Sequence, residues 1–356
     1  MSKVIRVGLA GYGRSGRDIH RLAISKDPRF QVVAVADAME ERRAEAAEEN
    51  GNCPVFGDYR ELIAAGGFDL LVNATPTNLH VEATLAGLEK YMVLSEKPTA
   101  TTVAQFDAIV AASQASGKAF FPFQNSRFFL HVKKIQEIIA SGVLGKLINI
   151  RLNWSGFGRR WDWQTRQEML GGNLYNTGPH PLDLAIAFFG DGTPKVFARM
   201  KSEHGGLGGD ADNYAAVTLY GDNAPDIEVM TSSFLAFPQG EQINIQGTCG
   251  GLVARAGYVK WRYFNPATAP KQPFWKPWSD HRKYCGETLN WEEFEWQNVQ
   301  EQQNGFKDMA SRYYDSLYGV IAEGRERVVR LDQVRRQIYV NEQAHLQNPL
   351  PTLPKP

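Results

Sequence analysis

Three glycines in the spacing Gly11-x-Gly13-x-x-Gly16 follow directly on a short apolar run, Ile5-Ala10. In that position Gly11 allows a tight turn, Gly13 lets the backbone approach a pyrophosphate, and Gly16 lets a following helix pack on the strand. Tyr12, Arg14 and Ser15 complete the loop. A second apolar run, Gln31-Ala36, ends in Asp37, about 20 residues past Gly16, where a carboxylate can bind ribose hydroxyls. Further along lie three segments with chemical potential. Thr75-Pro76-Thr77-Asn78-Leu79-His80 is small and polar enough to line the nicotinamide side of a dinucleotide. Ser95-Glu96-Lys97-Pro98 leaves Lys97 at the end of an apolar run. Gly171-to-Asp183 holds Asn176 and His180 four apart, on one face if that stretch is helical.

The elements that position these residues read as two blocks. Apolar runs at Ile5-Ala10, Val32-Ala36, Leu70-Ala74, Met92-Leu94 and Ala119-Pro122, with a weaker one at Val55-Phe56, alternate with helical patterns at Glu40-Asn50, His80-Glu89 and Val103-Ser116. That alternation predicts a parallel sheet covered by helices on both faces, with ligands beyond the carboxyl ends of the strands. After about residue 124 a helix is expected at Val132-Ser141. Strand-like runs follow at Leu147-Trp154, Val196-Met200, Tyr214-Leu219, Ile227-Ser233 and Gln242-Gln246. No strong helix separates the last four, which predicts a mainly antiparallel sheet. A helical pair, Phe306-Glu323 and Asp332-Leu346, closes the chain. The expected fold is α/β: a Rossmann dinucleotide-binding domain at 1–123, and a second α/β domain with an open, mainly antiparallel sheet at 124–356.

At 356 residues the chain has room for two domains. Its 39 lysines and arginines balance 39 aspartates and glutamates, which gives no bulk attraction for nucleic acid or an anionic membrane. Cys53, Cys249 and Cys285 are too few and too scattered for a disulfide framework or a zinc site. No apolar run approaches the ~20 residues of a membrane helix, so the expectation is a cytoplasmic protein. Asp210-Ala211-Asp212-Asn213 lacks the glycine and distal glutamate of a calcium loop and reads as a solvated turn. No metal site is expected. All eight tryptophans fall between Trp154 and Trp296. Such rings stack on sugars but also fill sheet cores and interfaces.

The glycine turn, the 75–80 segment, Glu96-Lys97-Pro98 and the 171–183 stretch together resemble the family of glucose–fructose oxidoreductase and inositol dehydrogenase, Gfo/Idh/MocA, over nearly the whole chain. The resemblance implies oxidation or reduction of a secondary hydroxyl of a sugar, glycoside or cyclitol with NAD, or with NADP as the alternative. Lys97 matches the family lysine that polarises the reacting hydroxyl, and His180 the histidine that takes its proton, in keeping with a side chain that titrates near neutrality. Asn176 stands where many relatives carry aspartate and is assigned as a substrate ligand. Gln164 follows Trp163 where some relatives have arginine. Asn125, in Phe123-Gln124-Asn125-Ser126-Arg127-Phe128, matches a junction residue with cofactor and substrate within reach. Tyr175, Trp161 and Trp163 are expected as adjacent walls, and Glu96 joins Gly11, Gly13, Gly16, Asp37, Thr75, Pro76, Asn78 and His80 on the cofactor side. Asp183 is expected to cap or anchor its helix. Asp37 favours NAD because it would repel a 2′-phosphate, while Arg42 and Arg43 keep NADP open. A homodimer or homotetramer through the second sheet follows from the same likeness. Two other readings share the fold: a glycosidase or oxidoreductase that retains and recycles its NAD, and a nicotinamide-sensing regulator without turnover. The segment Asn265-Trp296 carries no clear assignment beyond a lid or an interface arm.

Overall fold

A computed structural model describes residues 3–205, 207–237, 240–272 and 286–353. Trp275, Trp278, Cys285 and part of the 265–296 segment lie outside the described residues. The first sheet has six strands, β1 (Ile5–Ala10), β2 (Phe30–Ala36), β3 (Val55–Phe56), β4 (Leu70–Asn73), β5 (Met92–Ser95) and β6 (Phe120–Pro122), in the order β3-β2-β1-β4-β5-β6. Every pair in it is parallel. Its central strands are apolar along their length because helices cover both faces, and Leu70 to Val72 are completely buried. The order reverses between β1 and β4. Chains leaving those two strands diverge to opposite faces and open a crevice there, which is where an α/β sheet binds its ligand.

Gly16 opens a helical turn over Gly16–Arg21 with π-type bonding, continued as Leu22–Ser25. The helix Val103–Ser116 begins with a full capping box, in which Thr102 and Gln105 each satisfy the other's backbone amide, and ends at the left-handed Gly117. A short helix, Tyr59–Ala65, capped by Asp58, has no counterpart in the sequence reading.

The second sheet has eight strands: β7 (Leu147–Asn153), β8 (Lys195–Lys201), β9 (Tyr214–Tyr220), β10 (Asp226–Ser232), β11 (Ile243–Gly247), β12 (Gly250–Arg255), β13 (Tyr258–Tyr263) and β14 (Glu292–Gln297). Their order is β14-β13-β12-β11-β7-β10-β9-β8. All neighbours are antiparallel except β7 and β10, which run parallel. One face is apolar and packs on the helices Leu130–Ala140 and Pro179–Phe189, through Val132, Ile135, Leu182, Ala185 and Ile186. The other face mixes polar residues with exposed aromatic ones, Phe197 and Tyr220 among them.

The closing helices join the two cores. Val299–Ala322 places Met309, Tyr313, Tyr314 and Leu317 in the core of the first sheet. Leu331–Gln347 gives Val334 and Ile338 to that core and Val340 and Ala344 to the other. Among the described residues no helix is long and apolar enough to cross a membrane.

Candidate active site

A cleft of about 750 Å³ opens between the carboxyl ends of the first sheet and the helices of the second. Its first wall is the glycine turn. Gly11 has φ +94°, and a Cβ there would lie 2.3 Å from the Ala74 carbonyl oxygen, while one on Gly16 would lie 1.9 Å from the Gly11 carbonyl. Both positions need glycine. Gly13 differs: the only atoms near its missing side chain belong to the Arg42 guanidinium, 3.4 Å away, so its backbone faces open cleft. Asp37 lies at the end of β2, where its carboxylate accepts from the Tyr12 amide (2.7 Å) and the Met39 amide (2.9 Å), with Arg42 at 3.7 Å. The acid and the cation therefore share the rim where an adenosine ribose would sit.

Glu96 and Lys97 leave β5 at the floor. Glu96 is buried and accepts hydrogen bonds from Ser15 and from His20 (3.2 Å), whose other ring nitrogen meets the Tyr314 hydroxyl at 2.9 Å. Burial alone would raise its pKa. The hydrogen bond and charge of His20, with Lys97 and Ser15, instead hold this carboxyl well below the usual carboxylate range. Lys97 Nζ donates to the Asn176 backbone carbonyl at 2.7 Å. Burial lowers the Lys97 pKa, opposed by the charge of Glu96. His80 is fully engaged: Nδ1 lies 2.8 Å from the Pro98 carbonyl and Nε2 2.9 Å from the Thr75 carbonyl. It braces the two loops that carry Thr75 and Lys97.

The second wall comes from 160–180. Asn173–Asn176 and Pro179–Phe189 are two helical pieces joined through Thr177 and Gly178, whose backbone angles stay helical, and the join lies between Asn176 and His180. Both line the cleft. His180 Nδ1 lies 2.7 Å from Ser126 Oγ, which leaves Nε2 as the nitrogen available to a ligand. Burial, and then the charge of Lys97, push the His180 pKa down to about 3, so its imidazole is neutral at pH 7. Ser126 sits between Asn125 and Arg127 on the turn Asn125–Phe128, and Arg127 fixes that turn through a buried bidentate pair with Asp183 (2.7 Å for both bonds). Asp183 thus anchors its helix to the crossing between the sheets rather than capping it. Asn125 also lines the cleft, and its buried Oδ1 has no hydrogen-bond partner among the described residues. Tyr175 is stacked on His345, with ring centroids 4.0 Å apart.

Of the residues expected here, Gly11, Gly13, Arg14, Ser15, Asp37, Thr75, Pro76, His80, Glu96, Lys97, Asn125, Trp163, Tyr175, Asn176 and His180 line the cleft. Four do not. Tyr12 turns its side chain into the core, where its hydroxyl donates to Glu49 at 2.6 Å. Gly16 is packed under Gly11, Asn78 is exposed on its short turn, and Trp161 is 78% exposed. The 210–213 loop is not a solvated turn: Asp210 and Asp212 are buried, and Asp212 accepts from the Leu174 amide at 2.8 Å. Arg42, expected only as a residue that keeps NADP open, and Gln164 also line the cleft, and so do Ser126 and Arg160, which carried no signal in the sequence. No spacing rule links Ser126 to a histidine 54 positions away. Arg42 is legible only through its place one turn into the helix after Asp37.

Residues 5–123 match the family described as "Oxidoreductase family, NAD-binding Rossmann fold", and residues 132–253 match the GFO/IDH/MocA C-terminal domain. The chain belongs to the Gfo/Idh/MocA oxidoreductase family. Among relatives of this family, a myo-inositol 2-dehydrogenase of Thermotoga maritima is 26% identical over 70% of this chain and 75% of its own. An uncharacterized oxidoreductase of Escherichia coli is 30% identical over 53% of this chain, and an NADP-dependent scyllo-inositol 2-dehydrogenase of Bacillus subtilis 24% identical over 52%. Those two matches span only 55% and 52% of the relatives' own lengths. The solved structure of the WlbA dehydrogenase from Bordetella pertussis, in complex with NADH and UDP-GlcNAcA, shares the fold with a TM-score of 0.74 at 20% identity, covering 99% of this chain and 100% of its own. A Gfo/Idh/MocA nucleotide site fits what the cleft offers: two glycines that no side chain could replace, an open backbone at Gly13, and an unpartnered amide oxygen on Asn125.

Proposed function

We propose that this protein is an NAD-dependent dehydrogenase that oxidises a secondary hydroxyl of a sugar, glycoside or cyclitol to a ketone. The observation that carries the reading is the convergence of Lys97, from the end of β5, and His180, from the far wall, on one cleft beside the glycine turn. A bound NAD supplies the acceptor for the hydride that leaves the carbinol carbon with its bonding pair. His180 Nε2 takes the hydroxyl proton, which requires Nδ1 to hold its own proton and donate to Ser126. Lys97 keeps one donor on the Asn176 carbonyl and turns the others toward the oxygen, where a cation stabilises developing negative charge. Asn125 and the Asn176 side chain hydrogen-bond neighbouring substrate hydroxyls, and Tyr175 and Trp163 wall the ring.

Asp37 would hold the ribose hydroxyls of NAD; Arg42 beside it leaves NADP as the second cofactor. We place the domain division at residues 123/124. The protein acts as a homodimer or homotetramer through the outward face of the second sheet, where Phe197 is 59% and Tyr220 41% exposed. The site works on a small molecule, with no nucleic acid or membrane partner, in the cytoplasm.

The test is spectrophotometric. Purified protein with NAD⁺ and a panel of aldoses, glycosides and inositols should generate NADH absorbance with at least one substrate. Lys97→Ala and His180→Ala should each lower kcat by about 10²–10⁴-fold while keeping NADH affinity. NADH binding with no turnover on any of the panel would sink the assignment and favour a sensor.

A further inference from the structure

A second chamber of about 220 Å³ adjoins the cleft, and none of the residues assigned to the reaction lines it. The segment Arg160 to Gln164 separates the two, since Arg160 and Gln164 line both. Its walls are Phe157 and Phe234, paired across an isolated β-bridge and exposed by 66% and 46%, which is unusual for phenylalanine without a partner to cover it. Its floor is polar. Gln164 Oε1 is buried with no hydrogen-bond partner among the described residues. Asp212 uses one carboxylate oxygen on the Leu174 amide, and Ser233 accepts from Asn173 at 3.0 Å. Arg159 and Glu203 also line it, and Arg159 has no ion-pair partner among the described residues.

Aromatic faces opposite a floor of mixed donors and acceptors suit a ring that shows C–H faces to one side and hydroxyls to the other. The lining sets two arginines, Arg159 and Arg160, against Glu203 and Asp212, a balance without excess of either sign that suits a neutral polyol. We propose that it is a subsite for a second sugar ring, which makes the preferred substrate a glycoside or disaccharide rather than a free monosaccharide or cyclitol. This rests on the dehydrogenase reading above. The ring in the cleft loses hydride and proton as already described, and the glycosidic bond stays intact while the second ring lies past Arg160 and Gln164. Gln164, which lines both chambers, stands where the second ring would meet the first.

The experiment compares kcat/KM with NAD⁺ for glucose, galactose and myo-inositol against maltose, cellobiose, gentiobiose, lactose, melibiose and trehalose. At least one disaccharide should exceed its component monosaccharides by tenfold or more. Phe157→Ala, and independently Phe234→Ala, should reduce that disaccharide-to-monosaccharide ratio by at least fivefold, with folding checked by NADH-induced stabilisation. Because the readout is a ratio within one protein, a general loss of activity does not mimic it. Monosaccharides or inositol turned over as well as every disaccharide, or a ratio unmoved in both variants, would overturn the subsite while leaving the dehydrogenase intact. Failure of all nine compounds with NADH still bound would instead strike the dehydrogenase reading on which it stands.

Discussion

The hydrogen bond between Ser126 and His180 changes how the candidate base must work. A carboxylate partner would stabilise imidazolium; a serine hydroxyl only fixes the tautomer and the ring plane. Here the ring is neutral, and burial, then the nearby Lys97 charge, keeps it so. Ser126 is accordingly a positioning residue, and Ser126→Ala should cost about tenfold in kcat, the scale of one buried hydrogen bond, with KM and NADH affinity nearly unchanged. Adding Ser126→Ala to His180→Ala should cost nothing further, since the serine acts only through the imidazole. Equal additional losses in both backgrounds would show that Ser126 matters for packing alone. The asparagine at 176 also looks different in place: Lys97 binds its backbone carbonyl, which any residue supplies, so the lysine tether does not depend on that side chain. Residue types and spacing made the glycine turn readable, and the family resemblance pointed to Lys97 and His180. They could not reveal Ser126, because contact across a cleft leaves no spacing in the chain.

Among the elements, the 210–213 loop shows most sharply how a local reading fails. Two aspartates in four residues read as solvent-facing, yet the loop is packed beneath Gly172 and Leu174, and Gly172 takes φ +109° against the Asp212 carboxylate. Burial raises the Asp212 pKa from 3.8 to about 7. The folded protein therefore binds a proton that the unfolded chain has released between pH 4 and 7, and the stability due to Asp212 falls as pH rises through that window. Asp212→Asn keeps the acceptor for Leu174 without the charge. Its Tm should exceed that of wild type at pH 8 and converge with it near pH 4; a constant difference across that range would rule out the titration. The same contrast governs legibility elsewhere. Strands buried on both faces, such as β4, announce themselves as apolar runs. β14 was unreadable because nearly every residue in it is exposed and charged or aromatic, and β12 because it opens with two glycines.

The whole molecule is tied together across its cleft more tightly than a two-block sequence suggests. Leu331–Gln347 contributes side chains to both cores, Gln124 and Gln337 are hydrogen-bonded in the interior, and the buried Arg127–Asp183 pair joins the crossover turn to the second sheet's helix. Val299–Ala322, although distant in sequence, completes the first core with Tyr313 and Tyr314, and through Tyr314 and His20 it reaches Glu96 below the glycine turn. Removing the second block would thus strip the first core of Met309, Tyr313, Tyr314, Leu317, Val334 and Ile338, and would leave the buried His20 without its Tyr314 partner. The expected consequence is that the two sheets unfold in one calorimetric transition, and that NADH, which touches only the cleft, raises that entire transition by roughly 3 kcal/mol at a hundredfold excess over its Kd. Two resolved transitions, of which NADH moves only the lower or the upper, would mean that the shared helices do not couple the cores. A site assembled from both walls would then have to form between independently folding halves, and the fixed geometry of Lys97 against the Asn176 carbonyl would have no structural source.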